Sequence, residues 1–469
     1  MALVASGCSD SERAFQEQED PRSWLAGDHH IHSQFSVGWD RTQTPPTPIF
    51  GGAVRYSIPQ NAAMARKFGL SWMVATDHGG PNHSKINLEQ AYPELLQSRR
   101  DISEVIQFYG MELDTPAGEH SSLIIPHSHD EADVLYKLEL NFGRVEVFPV
   151  DSTRNTERKM LEALTVMQDM DLRPLVIANH PARTATGDGV YVAYDPEEFR
   201  RWNDTAPDVA VGMAGAPGHQ AFAFSTNPAI TDPQMRIRGG YRGFPTMGGF
   251  DQLTAKLGGF WDSMLGEGRH WWITANSDSH VHFSEGGGDF WPGEYSKTYV
   301  YAEKSHDSIM EGIRAGNIFV TTGDLVSELF VEVVQGRTRG GIGEEIEVSA
   351  RKNVTVSIRV LDPDSLNAGG RNPEVNRIDL IVGDVTGISD DPTIDSNSSV
   401  RVVRRFTADE WEREGEFLTM DYSFPVDRPI FIRVRGTNTD ELEPVVDPPA
   451  EDPWSDLWFY SNPVFVTTR

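Results

Sequence analysis

Four short apolar runs in this chain end on residues of the kind that bind metals or move protons, and this pattern constrains the fold most. Ser71-Trp72-Met73-Val74-Ala75 runs into Thr76-Asp77-His78, and Val105-Ile106-Gln107-Phe108-Tyr109-Gly110 into Met111-Glu112. Leu175-Val176-Ile177-Ala178 ends in Asn179-His180-Pro181, and Trp271-Trp272-Ile273-Thr274-Ala275 in Asn276-Ser277-Asp278-Ser279-His280. Runs this short and apolar suit buried strands, and segments of helical pattern such as 61–68 and 157–164 fall between them. The alternation marks βα units around a parallel sheet or barrel over residues 24–324. In a parallel barrel all strand C-termini share one face, so His and carboxylate groups from separate strands are expected to meet there.

The opening strand adds Asp28-His29-His30-Ile31-His32-Ser33. Side chains alternate along an extended chain, so His30 and His32 are expected to point the same way and grip one cation. Asp278 and His280 repeat the spacing. The single cysteine, Cys8, excludes an internal disulfide and every cysteine-based zinc site. A mixture of imidazole and carboxylate ligands then suggests Zn, Mn or Fe.

Together these residues resemble the PHP (polymerase and histidinol phosphatase) metallohydrolases over residues 24–324. The family's opening motif Asp-Xaa-His-Xaa-His-Ser/Thr corresponds to Asp28 through Ser33, Thr-Asp-His to Thr76-Asp77-His78, and Gly-Xaa-Glu to Gly110-Met111-Glu112. Its His-Pro corresponds to His180-Pro181, its Ser-Asp-Xaa-His to Ser277-Asp278-Ser279-His280, and its further His after the Glu strand to His120. The resemblance implies a distorted (β/α)7 barrel with two to three divalent metal ions, by correspondence to the motifs in this sequence. One ion would be held by His30, His32, Glu112 and Asp278, and a second by Glu112, His120 and His180, with Glu112 bridging. A third would use His78 and His280; where the family places another acidic or His ligand this chain has Val37, for which Asp77 or Asp40 could substitute.

The implied chemistry is that of a metal-dependent hydrolase, foremost a phosphoesterase using a metal-bridging hydroxide on a small, anionic, phosphorylated substrate. Hydrolysis of a carboxylic ester, carbamate or amide at the same site, and a non-catalytic metal-binding scaffold, are the alternatives. Glu112, His280 and Arg183 are the candidate catalytic residues: a bridge, a proton donor to the leaving group (a role open also to His282), and a cation for the substrate. Asp77 reads either as a ligand or as a group orienting a ligating His. His127 and His129 read as solvated loop residues, and His29 as outward-facing. His219 and His282 could line the pocket. The Trp-rich segments around Trp261 and Trp271-Trp272 read as core.

After Asp324 the texture changes to period-two strands separated by Gly, Asp, Asn and Pro, so residues 325–469 are expected to form a β-sandwich. Residues 1–23 read as a leader and linker. Leu3-Val4-Ala5-Ser6-Gly7-Cys8 resembles the end of a bacterial lipoprotein signal, implying a lipid anchor at Cys8 and a periplasmic or cell-envelope address. Met1 to Val4 lack a signal's basic start and apolar core, and Ala5 stands where Leu is usual, so the alternative is a free tail on a cytoplasmic protein. With 70 acidic against 41 basic residues the formal net charge is -29, which repels nucleic-acid backbones.

Overall fold

The computed structural model describes residues 20–51, 54–218, 244–280, 290–448 and 452–469. Cys8, His219 and His282 lie outside the described residues. Among the described residues the protein is a mixed α/β structure built on a fifteen-stranded mixed sheet, with a separate five-stranded antiparallel sheet and a two-stranded ribbon.

The N-terminal part of the large sheet runs in the order Ser296–Ala302, Ser23–Ile31, Trp72–His78, Ile106–Asp114, His120–Ile125, Leu175–Ala178, Ala210–Pro217, Trp272–Asn276. The sheet curls until its last strand returns to its first. Ile31 forms a parallel bridge with Ser279, His32 N–H donates to Ser279 O at 3.1 Å, and Ala275 N–H donates to Thr298 Oγ1 at 2.8 Å.

Wholly parallel pairing, expected from the βα pattern, fails at two strands. Ser296–Ala302 is antiparallel to Ser23–Ile31, and His120–Ile125 is antiparallel to both of its neighbours. The second reversal follows from its connection: Thr115 N–H donates to Glu119 O, closing a tight turn too short for a parallel crossover. His120 therefore reaches the same end of the sheet from the start of its strand rather than the finish.

Helices cover the sheet with amphipathic faces. Glu157–Gln168 is capped by the Thr156 side chain and buries Met160, Ala163, Leu164 and Met167, the spacing of one helical face. Ile58–Lys67 starts on a Ser57 cap followed by proline in the first turn. Among the described residues no helix is long and apolar enough to cross a membrane.

Beyond Asp324 the strands alternate as expected. In Glu328–Gln335, Leu329, Val331 and Val333 are buried between more open neighbours, and the strand lies in the five-stranded sheet. Arg377–Asp384, Ile430–Thr437 and Val464–Thr468 instead continue the large sheet, joined through Trp458–Ser461, which pairs with Ile318–Thr322. The two layers face one another across a core that includes Val331, Val356, Leu380 and Ile432.

A buried ion pair fastens this region to the first. Arg433, on Ile430–Thr437, donates from Nε and Nη2 to the two carboxylate oxygens of Asp262, on helix Phe260–Gly266, at 2.8 Å each, and its guanidinium lies 4.8 Å from the Trp261 ring centre. Both partners are buried. Removing one leaves the other charge desolvated and alone, so Asp262→Ala is expected to cost about 3–5 kcal/mol in urea unfolding. A loss below about 1 kcal/mol, the scale of an exposed pair, would contradict this assignment.

Candidate metal centre

The opening strand is irregular where it matters. Its register against Trp72–His78 shifts between Asp28 and Ile31, and such irregularities re-aim side chains. His30 and His32 converge as their spacing predicts, with Nε2 atoms 3.0 Å apart. His29 does not face outward. It is buried between Ser122 and Thr274, at 3.0 and 2.8 Å, because the shifted backbone turns it across the curled sheet.

Gly110 of the Gly-Xaa-Glu segment has a steric task. A Cβ there would lie 2.4 Å from Leu123 O, so only glycine lets the reversed strand pack beside the strand that carries Glu112. His180 and Asp278 take positive φ angles of 31° and 47°, a costly backbone region for such residues that is enriched at functional sites.

Glu112 is the hub. Its Oε1 lies 3.0 Å from His30 Nε2, 3.1 Å from His120 Nδ1 and 3.2 Å from His180 Nε2, and accepts from Asn179 Nδ2 at 3.1 Å. Its Oε2 lies 2.8 Å from His78 Nδ1 and 3.5 Å from His32 Nε2, yet is buried without a hydrogen bond because neither contact has bonding geometry. Burial pushes this carboxyl up, but His120, His30 and His78 outweigh it and hold it well below the usual range. Asp278 closes the far side, with Oδ1 3.1 Å from His32 Nε2 and 3.2 Å from His30 Nε2.

Partners on the outer nitrogens reveal which imidazole atoms carry lone pairs. Ser36 Oγ donates its one proton to Asp77 Oδ1 at 2.8 Å, so His32 Nδ1, 2.9 Å from Ser36 Oγ, must be the donor there. His280 Nδ1 donates to Asp278 O at 2.7 Å. In the neutral rings, His32 Nε2 and His280 Nε2 are therefore lone pairs turned inward. His280 Nε2 lies 3.3 Å from His78 Nε2. Lone pairs converging at such distances fit a cation between them.

Among the described residues, four groups each bring ligand atoms within 4.8 Å of one another: His30, His32, Glu112 and Asp278; His78, Glu112 and His120; Glu119, His120 and His180; and His32, His78 and His280. His30 Nδ1, His120 Nδ1 and His180 Nδ1 are buried without a hydrogen-bond partner. Buried His/Glu/Asp clusters of this kind could hold metal ions.

Asp77 joins none of the four groups. Its carboxylate accepts from Ser33 N–H at 2.6 Å, Ser33 Oγ at 2.8 Å and Ser36 Oγ, and so reaches His32 only through Ser36. Asp40 stays outside too, bonded to Thr42, and Val37 is buried in the apolar core. Arg183 lies at the rim, its Nε 3.1 Å from Glu119 Oε2 and its Nη2 on the same oxygen. His129 is exposed, but His127 is not simply solvated: it stacks on His306, ring centres 4.1 Å apart, and bonds Glu131. Trp261, Trp271 and Trp272 are buried. Sequence reasoning passed over Glu119 and Asn179, although each adjoins a recognised histidine.

No protein-family model matches the sequence, and no curated protein matches it. Among solved structures, Endonuclease Q in complex with a duplex bearing an abasic lesion aligns with 63% of this chain and 56% of its own, at 13% identity and TM-score 0.32. The lesion-specific endonuclease of Pyrococcus furiosus aligns over the same shares at 14% identity and TM-score 0.32. The chain thus spans a little over half the length of these endonucleases.

The loop carrying Ser33 and Ser36 is pinned from below by His83, which donates to Phe35 O at 2.8 Å and meets Glu139 at 2.8 Å. Burial lowers His83, but Glu139 outweighs it and raises the imidazole to about 9. A raised imidazole stabilises the fold fully below its unfolded value near 6.5, and that contribution is lost as pH rises through about 9. Glu146, pushed up to about 7 by burial and by Glu139, changes mostly below that window, but Glu198, raised to about 8 by burial, and His120, which burial lowers but Glu112 and Asp114 raise to about 10, lose their contributions within it, so His83 is read from its own variant. Between about pH 7 and 9.5, His83→Gln should make the decline in urea-unfolding stability shallower than wild type's by on the order of 1–3 kcal/mol. An equal decline in the variant would refute it.

Proposed function

We propose that this chain is a PHP-type metal-dependent hydrolase acting on phosphoesters of a small anionic compound. In this reading residues 24–324 are a distorted (β/α)7 barrel that carries the site, residues 325–469 a β-sandwich, and 1–23 a leader or linker. The observation that carries this reading is the convergence of ring nitrogens and carboxylates around Glu112, with His32 and His280 held so that their Nε2 lone pairs face inward.

His30, His32, Glu112 and Asp278 would hold one ion, Glu112, His120 and His180 a second, and His78 and His280 a third, with Glu119 within reach of the second. Bound divalent ions would supply a water ionised near neutral pH and positive charge opposite the developing phosphoryl oxygens. The chain's own groups set the rest. Glu112 and Asp278 are the only carboxylates in that three-ion donor set, against six imidazoles, so the pocket itself carries little negative charge to repel a phosphate. Its open side is marked by His78 and His280, whose side chains are 30% and 20% exposed while His30 and His32 are sealed. With the third site empty, a protonated His280 Nε2 would serve to protonate a leaving oxygen, since its Nδ1–H stays on Asp278 O; Arg183, held by Glu119, would orient an anion beside His180.

Purified protein supplied with Zn or Mn should retain about two to three divalent ions per chain by elemental analysis. Fewer than about one per chain would end the metal reading. Glu112→Gln should lower turnover by at least about 100-fold and more than His78→Ala, because Glu112 serves two of the proposed sites. Equal losses would contradict the bridging role. Turnover of phosphomonoesters or phosphodiesters but not aryl esters is expected; the reverse would favour carboxylic-ester hydrolysis.

A further inference from the structure

Below the histidine cluster the structure holds a chain of polar side chains that the hydrolase reading leaves unused. Thr274, His29, Ser122 and Asn179 are all buried. His29 Nε2 lies 2.8 Å from Thr274 Oγ1, His29 Nδ1 3.0 Å from Ser122 Oγ, Ser122 Oγ 2.9 Å from Asn179 Oδ1, and Asn179 Nδ2 3.1 Å from Glu112 Oε1.

The proton positions along this chain follow from its end. A carboxylate offers only lone pairs, so Asn179 must turn its amide N–H toward Glu112 and its Oδ1 toward Ser122. Ser122 has one hydroxyl proton, and Oδ1 takes it. The Ser122 oxygen can then only accept from His29, so His29 carries its proton on Nδ1. A neutral imidazole protonated there has a lone pair on Nε2, which receives the Thr274 hydroxyl. The distances agree, since Thr274 Oγ1 lies 2.8 Å from His29 Nε2 and 3.3 Å from its other neighbour, Met213 O. His29 meets two hydroxyls and no carboxylate, which suits a neutral ring.

We propose that His29 is a positioning residue for the metal centre: it aligns a one-way hydrogen-bond chain, Thr274 to His29 to Ser122 to Asn179, that fixes Glu112 for metal binding. The inference rests on the metal-dependent reading above. Bonds pointing one way polarise each other, so the final N–H grips Oε1 more firmly than an isolated amide would. Outer partners of this sort typically change metal affinity by about 10–100-fold. The Asn179 amide also lies 3.4 Å from His30 Nε2, so the same chain sets the spacing of two donors of one group.

Two measurements on the full chain test this. Histidine-selective 13C and 15N NMR of the metal-free protein, with the His29 signal assigned by its loss in His29→Gln, should show the Nδ1–H tautomer; the Nε2–H tautomer reverses the chain and overturns the proposal. Co2+ affinity, measured by chelator competition, should fall at least about 10-fold in His29→Phe, which fills the space without polar atoms, and should return to within about 3-fold of wild type in His29→Gln, which can donate to Ser122 and accept from Thr274. If His29→Phe fails to fold by circular dichroism, Ser122→Ala, which deletes one hydroxyl, should show the same loss. Wild type and the interrupted chain binding Co2+ equally would overturn the positioning role alone. Wild type that takes up no Co2+ would end the metal reading and the proposal together.

Discussion

One buried carboxylate organises the open end of this sheet. Glu112 has no solvent to stabilise its charge, and a carboxylate taken from water into a protein interior costs several kcal/mol unless it is compensated. Five histidines and one amide lie within 3.5 Å of its two oxygens. Those groups come from four other strand ends, so the stability of the carboxylate and the curl of the sheet are one problem. The curl that returns Trp272–Asn276 to the opening strand also delivers Asp278 to the same place.

Placing so many donors about one group demands departures from regular structure. The opening strand slips register, so His29 and His30 both serve the interior, one below the cluster and the other within it. The strand starting at His120 runs backward, and Gly110 leaves room for it. His180 and Asp278 accept left-handed backbone. Each departure carries a cost that core packing elsewhere must cover, the usual relation between a rigid scaffold and a strained site.

The ligand-type residues were legible because they sit beside apolar runs whose strand character is strong: Asp77-His78, Glu112, His180 and Asp278 each follow one. The direction of His120–Ile125 was not, because it depends on a turn at Thr115 to Glu119 that composition does not specify. His29 was misplaced because period-two reasoning assumes an unbroken strand, and a register shift breaks it. His127 was misread because its partner, His306, lies far along the chain, and only the fold brings their rings together. The C-terminal strands were recognised by alternation, but alternation cannot say which sheet a strand will join; the pairing of Phe319 with Ser461 decides that.

Charge finally separates surface from site. The formal net charge of -29 makes the molecule as a whole repel anions, yet screening confines that effect to roughly 10 Å at ordinary ionic strength. Inside that distance the local donors dominate. Glu119 is neutralised by Arg183, and Asp114 by Arg144 and His120, so much of the acidity nearest the cluster is already paired. Glu112 and Asp278 face the cluster directly, both sealed from solvent among imidazoles. An acidic protein can therefore present a pocket whose charge is set by what it binds rather than by its surface, and the imidazole-rich donor set is what makes that reversal physically reasonable.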